Sequence, residues 1–190
     1  MTNSSESAAG SVIDFLTLVT KLKRTQRTGW VNNQITEPES VSDHMYRMSL
    51  MAMLLDDPTL DKTKCIKLAI VHDLAECLVG DITPFDGVSK EDKHQMEAQA
   101  MQRLAITLGP ENAASGQEIM ALWKEYEDNG TEEAKVVHQL DKCEMIQQAM
   151  EYEVQDGKQL DQFFDYTRHL FTHPQIKSWA QAILARRKQT

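Results

Sequence analysis

The sequence predicts an all-α protein built as a single compact helical bundle. Apolar residues recur every three or four positions over most of the chain, and no stretch shows the two-residue alternation of a β-strand. The 190 residues suffice for one domain with a sizeable core but are few for two. Hydrophobic residues make up 41% and charged residues 26%, a balance that argues against a disordered chain.

We expect residues 1–10 to be a disordered leader and residues 11–188 to form the domain. The leader is rich in Ser and Ala, and no uninterrupted apolar block follows it, so it does not have the pattern of a secretion signal. No apolar run approaches the roughly 20 residues that span a bilayer. The sequence therefore predicts no membrane partner.

The first half of the chain predicts three helices. The first begins at Ser11, and the polar residues 25–39 that follow it predict a loop. A capping box begins the second helix, because the side chains of Ser40 and Asp43 can each bind the other residue's amide; this helix runs to about Leu55. The third begins near Asp61 and is apolar nearly all round, which is typical of a buried central helix.

Turn and capping residues divide the rest of the chain into helices. Gly80 suits the end of the third helix, and Pro84 prevents its continuation. Pro174 fits the first position of the last helix. The predicted helices after Gly80 are residues 89–108, 119–126 and 131–154, with two shorter ones on either side of residues 172–174.

Charge and cysteine content restrict the partners and the compartment. The net charge of −9 argues against a nucleic-acid polymer as partner. Residues 15–36 nevertheless hold four Lys and Arg residues and no acid, which predicts either a site for a small anionic ligand or a solvated helix end. Cys65, Cys77 and Cys143 form an odd number without a C-x-x-C pair, which predicts buried reduced thiols and an intracellular location, either cytosol or nucleus. Of the two we expect the cytoplasm.

Three predicted helices each direct side chains that can bind metal toward their apolar faces. His44 shares its face with core residues of the second helix. His72, Asp73 and Glu76 lie in the most apolar stretch of the chain, and Asp141 lies on the apolar side of the long helix. Buried imidazoles and carboxylates cost several kcal/mol unless they are paired or bind a metal. Their convergence predicts a divalent cation, and the nitrogen and oxygen ligands suit Mn, Co, Mg, Fe or Zn.

Each of these side chains also has a simpler interpretation. Either His is compatible with a hydrogen-bonded core residue, and Asp73 with an ion pair to an Arg. Asp141 can pair with Lys142 or with a helix end, and Asp81 can serve as a turn or capping residue. Trp30 can be a loop aromatic that covers the core.

Four short motifs together resemble the H…HD…D signature of the HD-domain phosphohydrolases, and more narrowly their 5′-deoxynucleotidase branch. The resemblance extends from about Ser11 to the last helix, so it covers nearly the whole chain. The motifs are Ser42-Asp43-His44, the segment from Val71 to Glu76, Gly80-Asp81-Ile82 and Gln139-Leu140-Asp141.

The resemblance implies an HD-domain helical bundle, usually dimeric, that removes phosphate from deoxyribonucleoside 5′-monophosphates with the help of a divalent metal. It also implies roles for individual residues. Those that match are the metal ligands His44, His72, Asp73 and Asp141, the catalytic acids Glu76 and Asp81, and a possible second cation site formed by Glu76, Asp81 and the Ile82 carbonyl.

The resemblance also implies a substrate-binding role for the segment around Trp30. In the bacterial relatives a matching Trp stands against the sugar, where a 2′-hydroxyl would clash, and an Arg immediately before it holds the phosphate. Here Gly29 occupies the place of that Arg, so Arg27 becomes the candidate phosphate ligand. Two alternative functions remain: an HD-type hydrolase of another nucleotide (cyclic, alarmone or triphosphate), and a non-catalytic metal-binding regulator. Glu76 and Asp81 argue against the regulator, since a structural metal site does not need them.

Overall fold

The computed structural model describes residues 4–189, and within them the chain is helical without a single β-strand, as the sequence predicts. The chain divides into two compact units, each made of two separate stretches. The first unit comprises the chain up to Met45 together with Val71–Glu127, and the second comprises Tyr46–Ile70 together with the chain from Asp128 onward. That residues 11–188 form one domain stays a prediction.

The first half of the chain contains five α-helices and one 3₁₀ turn among the described residues. The 3₁₀ turn, Thr20–Lys23, directly follows the first helix. The α-helices are α1 (Ser4–Val19), α2 (Thr28–Asn32), α3 (Val41–Met53), α4 (Lys62–Val71) and α5 (Glu76–Val79).

The second half holds five α-helices in the part of the chain that the structure describes. A 3₁₀ turn, Pro110–Asn112, precedes α7. The helices are α6 (Lys90–Thr107), α7 (Ala113–Asp128), α8 (Glu132–Asp156), α9 (Asp161–Thr167) and α10 (Pro174–Arg187). No helix in residues 4–189 combines the length and the apolar character needed to cross a membrane.

The structure corrects four of the predicted boundaries. Helix α1 begins at Ser4 rather than Ser11, so residues 4–10 of the predicted leader are helical, and residues 1–3 lie outside the described residues. The predicted loop of residues 25–39 contains the short helix α2. The predicted third helix is broken at residues 72–75, between α4 and α5. Helix α7 begins at Ala113, six residues before the predicted Ile119.

The predicted capping signals are confirmed. The Ser40 amide donates to Asp43 Oδ2 at 2.9 Å and the Asp43 amide donates to Ser40 Oγ at 3.2 Å, which is the reciprocal pattern of a capping box. Ser89 Oγ accepts from the Asp92 amide at 3.0 Å at the start of α6. Gly80 ends α5 with a φ of +78°, a conformation that side-chain-bearing residues rarely adopt.

The core of the first unit surrounds the break between α4 and α5. Val71, Leu74 and Ala75 are buried in this core. The polar residues His72 and Glu76 of the same segment are buried as well. Helix α6 packs against α5 and supplies further core residues. Those core residues are Ala100, Met101 and Leu104.

In the second unit, α8 packs against α10 and α9. The Gln139 side chain of α8 accepts hydrogen bonds from the Thr172 and His173 amides at 2.7 and 2.8 Å, just before α10 begins. This contact satisfies amides at a helix N-terminus, where intrahelical partners are missing.

Candidate active site

The HD motif, His72-Asp73, lies in the break between α4 and α5. The Leu74 amide donates to the Val71 carbonyl at 3.0 Å, and the Glu76 amide donates to the Asp73 carbonyl at 3.1 Å. These bonds span three residues instead of four, so the backbone is tightened as in a 3₁₀ turn. Side chains three apart eclipse each other in such a turn, which brings Asp73 and Glu76 to the same side.

Two imidazoles and one carboxylate converge in the first unit. Asp73 Oδ2 lies 3.1 Å from His72 Nε2 and 3.8 Å from His44 Nε2. The two imidazole rings are 5.4 Å apart between centroids in an edge-to-face arrangement, and both are buried. Imidazole nitrogens and a carboxylate oxygen are ligands that Mn, Fe, Co and Zn accept, so this donor set fits a divalent metal.

Arg27 brings a guanidinium group to this cluster. Arg27 Nη1 lies 3.3 Å from Asp73 Oδ2, so the predicted alternative of an Arg–Asp73 ion pair is present within the same cluster. Burial disfavours the charged form of Asp73, but His72, Arg27 and His44 outweigh it and lower the pKa of the carboxyl group. Asp73 is therefore the anionic member of the cluster, as a metal ligand requires.

Glu76 is a buried carboxyl group with an exposed fraction of 3%. Burial, followed by the charges of Asp73 and Asp81, raises the pKa of Glu76 well above its ordinary value, while Arg27 and Lys93 oppose the shift. No hydrogen bond from the described residues reaches Glu76 Oε2. A buried polar atom of this kind is expected to meet a ligand, a water or an ion.

Asp81 connects the end of α5 to α2. Its Oδ2 atom accepts a hydrogen bond from the Thr28 amide and its carbonyl accepts one from Thr28 Oγ1, both at 2.7 Å. Asp81 therefore caps α2, in line with the predicted alternative of a capping role, although α2 is distant in sequence. Its catalytic role, and the role of the Ile82 carbonyl in a second cation site, stay predictions.

Trp30 lies on α2 and is almost fully buried, with an exposed fraction of 1%. Its indole Nε1 donates to Glu39 Oε1 at 2.9 Å. The Glu39 carbonyl in turn accepts from the Arg27 amide at 3.1 Å. The indole is thus held in the interior one turn from the Arg27 guanidinium, and its contact with a sugar stays a prediction.

Asp141 and the residues around it belong to the second unit. Asp141 is buried on α8, and its Oδ2 atom lies 2.8 Å from Lys142 Nζ, which matches the predicted alternative partner. Its role as a metal ligand stays a prediction.

One turn further along α8, the fully buried Glu144 accepts from Arg47 Nε at 2.7 Å. Sequence reasoning missed Arg47, because its partners lie about a hundred residues away.

Sequence reasoning also missed Lys93 and Glu97 on α6. Lys93 Nζ lies 3.5 Å from Glu97 Oε1, and the Lys93 ammonium interacts electrostatically with Glu76, Asp73 and Asp81. A signal was present in the sequence: Glu97 is four residues before the core residue Met101, so a charge lies on the buried face of α6.

A protein-family model described as HD domain matches residues 19–182. The chain belongs to the HD domain family. The 5′-deoxynucleotidase HDDC2 of Mus musculus is 53% identical over 175 residues, which are 91% of this chain and 86% of the mouse protein. The 5′-deoxynucleotidase hdd1 of Schizosaccharomyces pombe is 46% identical over 182 residues, covering 94% of this chain and 91% of the yeast protein.

Solved structures share this HD-domain fold. The structure of a conserved hypothetical protein from Pyrococcus furiosus matches with a TM-score of 0.70 and 30% identity, over 94% of this chain and 99% of that one. HD domain phosphohydrolases depend on a metal, and the first unit of this HD domain holds a His/His/Asp donor set that suits one. The donor set at His44, His72 and Asp73 is therefore compatible with the metal dependence of the family.

Proposed function

We propose that this protein is a metal-dependent 5′-deoxynucleotidase, which hydrolyses deoxyribonucleoside 5′-monophosphates to the deoxyribonucleoside and phosphate. The observation that carries the proposal is the cluster of His44, His72 and Asp73, with the acid Glu76 and the cation Arg27 beside it. Near-full-length relatives that bear the name 5′-deoxynucleotidase support the substrate class.

The metal is held in this proposal by His44, His72 and Asp73 of the first unit, with Asp141 as the fourth ligand. Asp141 is supported by its burial and by its place in the H…HD…D signature. The ion is Mn, Co, Mg, Fe or Zn: the imidazoles suit the transition metals, and the carboxylates also suit Mg. When bound, such a cation polarises a phosphoryl oxygen and lowers the pKa of a coordinated water.

The reaction requires that a water attack phosphorus, that the bond from phosphorus to the 5′-oxygen break, and that a proton reach that oxygen. Glu76 is the proposed carrier of this proton, because it lies on the same side of the turn as Asp73 and its Oε2 atom is buried without a hydrogen bond from the described residues. Asp81 is the second acid, and it also holds Thr28 in place. In an alternative form of the proposal, Glu76, Asp81 and the Ile82 carbonyl bind a second cation.

Arg27 and Trp30 are the proposed substrate-binding residues. Arg27 already lies at the cluster, within 3.3 Å of Asp73, so its guanidinium is available to a phosphate that enters there. Trp30 is fixed by Glu39 and cannot easily move aside. A fixed indole next to the sugar would exclude a 2′-hydroxyl and so select deoxyribose.

Two further inferences belong to this proposal. The first is a homodimer, supported by exposed apolar residues along one face of α3 and just after it. These residues are Tyr46, Leu50 and Met53 on α3, and Leu54 directly after its end. The second is a cytoplasmic location, supported by three free cysteines whose burial raises the thiol pKa, to about 11 for Cys65 and Cys77 and about 12 for Cys143. Size-exclusion chromatography with light scattering of wild type and Leu50→Asp tests the dimer, which the variant is expected to weaken.

A phosphate-release assay tests the proposed function. Protein stripped with a chelator is supplied with Mn, Co, Mg, Fe or Zn separately and offered dAMP, dGMP, dCMP, dTMP and AMP. We expect release from the deoxyribonucleotides with at least one metal, no activity in His72→Ala, and wild-type activity in His169→Ala, which removes an exposed His. Hydrolysis only of cyclic nucleotides, alarmones or triphosphates would replace the proposed substrate class, and inert protein would favour the regulator.

A further inference from the structure

The first unit gathers three carboxyl groups, Asp73, Glu76 and Asp81, close enough that both Asp73 and Asp81 act electrostatically on Glu76. A phosphate monoester that approaches them carries a further negative charge. Binding it requires positive charge from the protein as well as from a metal. Arg27 supplies one such charge, through its contact with Asp73.

A second positive charge comes from α6. The Ser89–Asp92 cap fixes the start of this helix, and α6 packs against α5, which carries Glu76. Lys93, in the first turn after the cap, acts electrostatically on Glu76, Asp73 and Asp81. Lys93 therefore adds a cation to the same acidic cluster from a helix that sequence reasoning did not connect with it.

The Lys93 side chain contacts Glu97 and is also partly exposed to solvent. Its exposed fraction is 36%, against 10% for its partner Glu97, and the two charged atoms are 3.5 Å apart. A tight bond between an ammonium and a carboxylate is about 2.7–2.9 Å long, so this contact is loose. An ammonium has three hydrogen-bond donors, and the buried Glu97 occupies one direction only.

Burial lowers the pKa of Lys93, but the charges of Glu97, Glu76, Asp73 and Asp81 outweigh it and the pKa is raised. The ammonium is therefore charged at neutral pH. Lys93 thus has a charged ammonium, a partly exposed side chain and a contact with Glu97 that holds it in place. A phosphate-binding lysine needs these properties.

We propose that Lys93 binds the phosphate group of the substrate together with Arg27, and that Glu97 holds the Lys93 ammonium in position. This inference rests on the proposed function, since it names a further substrate-binding residue of the same site. Glu97 is a positioning residue: it orients the ammonium and does not itself contact the phosphate.

A purely structural role for Lys93 makes a different prediction. Glu97 is buried, so removal of Lys93 leaves its carboxylate without a partner and destabilises the fold. If neutralising Glu97 were the whole role of Lys93, the double variant Lys93→Met/Glu97→Gln would restore both the melting temperature and phosphate binding. If Lys93 binds phosphate, the double variant restores the melting temperature alone.

The experiment compares Lys93→Met, Lys93→Arg, the double variant and the control Lys90→Met, which removes an exposed charge one turn earlier on α6. For each protein, loaded with Mn, we measure the melting temperature, the Kd of inorganic phosphate by calorimetry, and KM and kcat for dAMP. A hydrogen bond to a charged group contributes enough that we expect Lys93→Met and the double variant to weaken phosphate binding about tenfold and to raise KM similarly. Lys93→Arg should retain most of the affinity, and Lys90→Met all of it.

The outcomes separate this inference from the proposed function. Wild-type phosphate affinity and KM in the double variant would overturn the role of Lys93 and leave the deoxynucleotidase proposal standing. Conversely, wild-type protein that binds phosphate through Lys93 but hydrolyses no deoxyribonucleotide would support Lys93 and remove the proposed substrate class.

Discussion

Replacing Arg47 by Met should be among the most damaging single changes in the second unit. Glu144 is fully buried, and Arg47 Nε donates to it at 2.7 Å. Arg47 also donates to Gln148 and, at 2.8 Å, to Glu151, so one guanidinium serves three side chains of α8. Arg47→Met removes all of these contacts and leaves a carboxylate buried without its cation.

The expected loss is about 3–5 kcal/mol in the free energy of unfolding, the cost of breaking a buried ion pair from one side. In a protein of this size each kcal/mol lowers the melting temperature by about 2–4 °C, so the expected drop is about 6–20 °C. Arg168→Met is the matched control, because its ion pair with Asp165 is exposed, and it should cost no more than about 1 kcal/mol.

The pH dependence of Arg47→Met gives an independent check. Without Arg47 the buried Glu144 carboxylate has lost a cation, and protonating it removes the buried charge. The variant should therefore be destabilised less at acidic pH than at pH 7, and Arg47→Met/Glu144→Gln should recover stability at pH 7. Urea denaturation at several pH values measures this. A loss below about 1 kcal/mol, or no recovery in the double variant, would refute the reasoning.

Three further predictions concern α2 and its contacts. Glu39→Leu should cost about 1–3 kcal/mol in urea denaturation, because it removes the carboxylate that accepts the hydrogen bond of the buried Trp30 Nε1. Glu39→Gln keeps an acceptor and should cost less, and equal losses would contradict this. Trp30→Phe should lower the ratio of kcat/KM for dAMP to that for AMP, and an unchanged ratio would remove the proposed sugar selectivity. Thr28→Val should cost about 1 kcal/mol by losing the bond to the Asp81 carbonyl, and Thr28→Ser, which keeps the hydroxyl, should not.

The parts of the fold that depend on neighbouring residues were predictable from the sequence. Ser40 and Asp43 cap α3 because both members of the pair lie within one turn, and Thr131, the N-cap of α8, likewise accepts from Ala134 at 3.2 Å. The proposed ligands could be identified because His72 and Asp73 lie in an apolar stretch and His44 shares a helix face with core residues, where a polar side chain needs a reason to be buried. Because all three side chains are directed toward apolar faces, their convergence in the first unit was predictable.

The parts that depend on distant contacts could not be predicted. The apolar pattern continues from α4 through α5 and so predicts one helix, whereas the structure breaks it at residues 72–75, where Leu74 and Ala75 pack in the core. Helix α2 forms in a polar segment because Asp81, more than fifty residues away, binds its first amide. Lys93 joins the acidic cluster for the same reason, through the packing of α6 on α5.

The most direct test of the central claim measures metal content and turnover together in wild type and Asp73→Ala. Each protein is stripped, reloaded with Mn, desalted and analysed for bound metal, and phosphate release from dAMP is followed, with circular dichroism as a check of folding. We expect wild type to retain metal and release phosphate, and a folded Asp73→Ala to do neither. A folded Asp73→Ala that retains wild-type metal content and turnover would contradict the assignment of the HD motif as the metal centre.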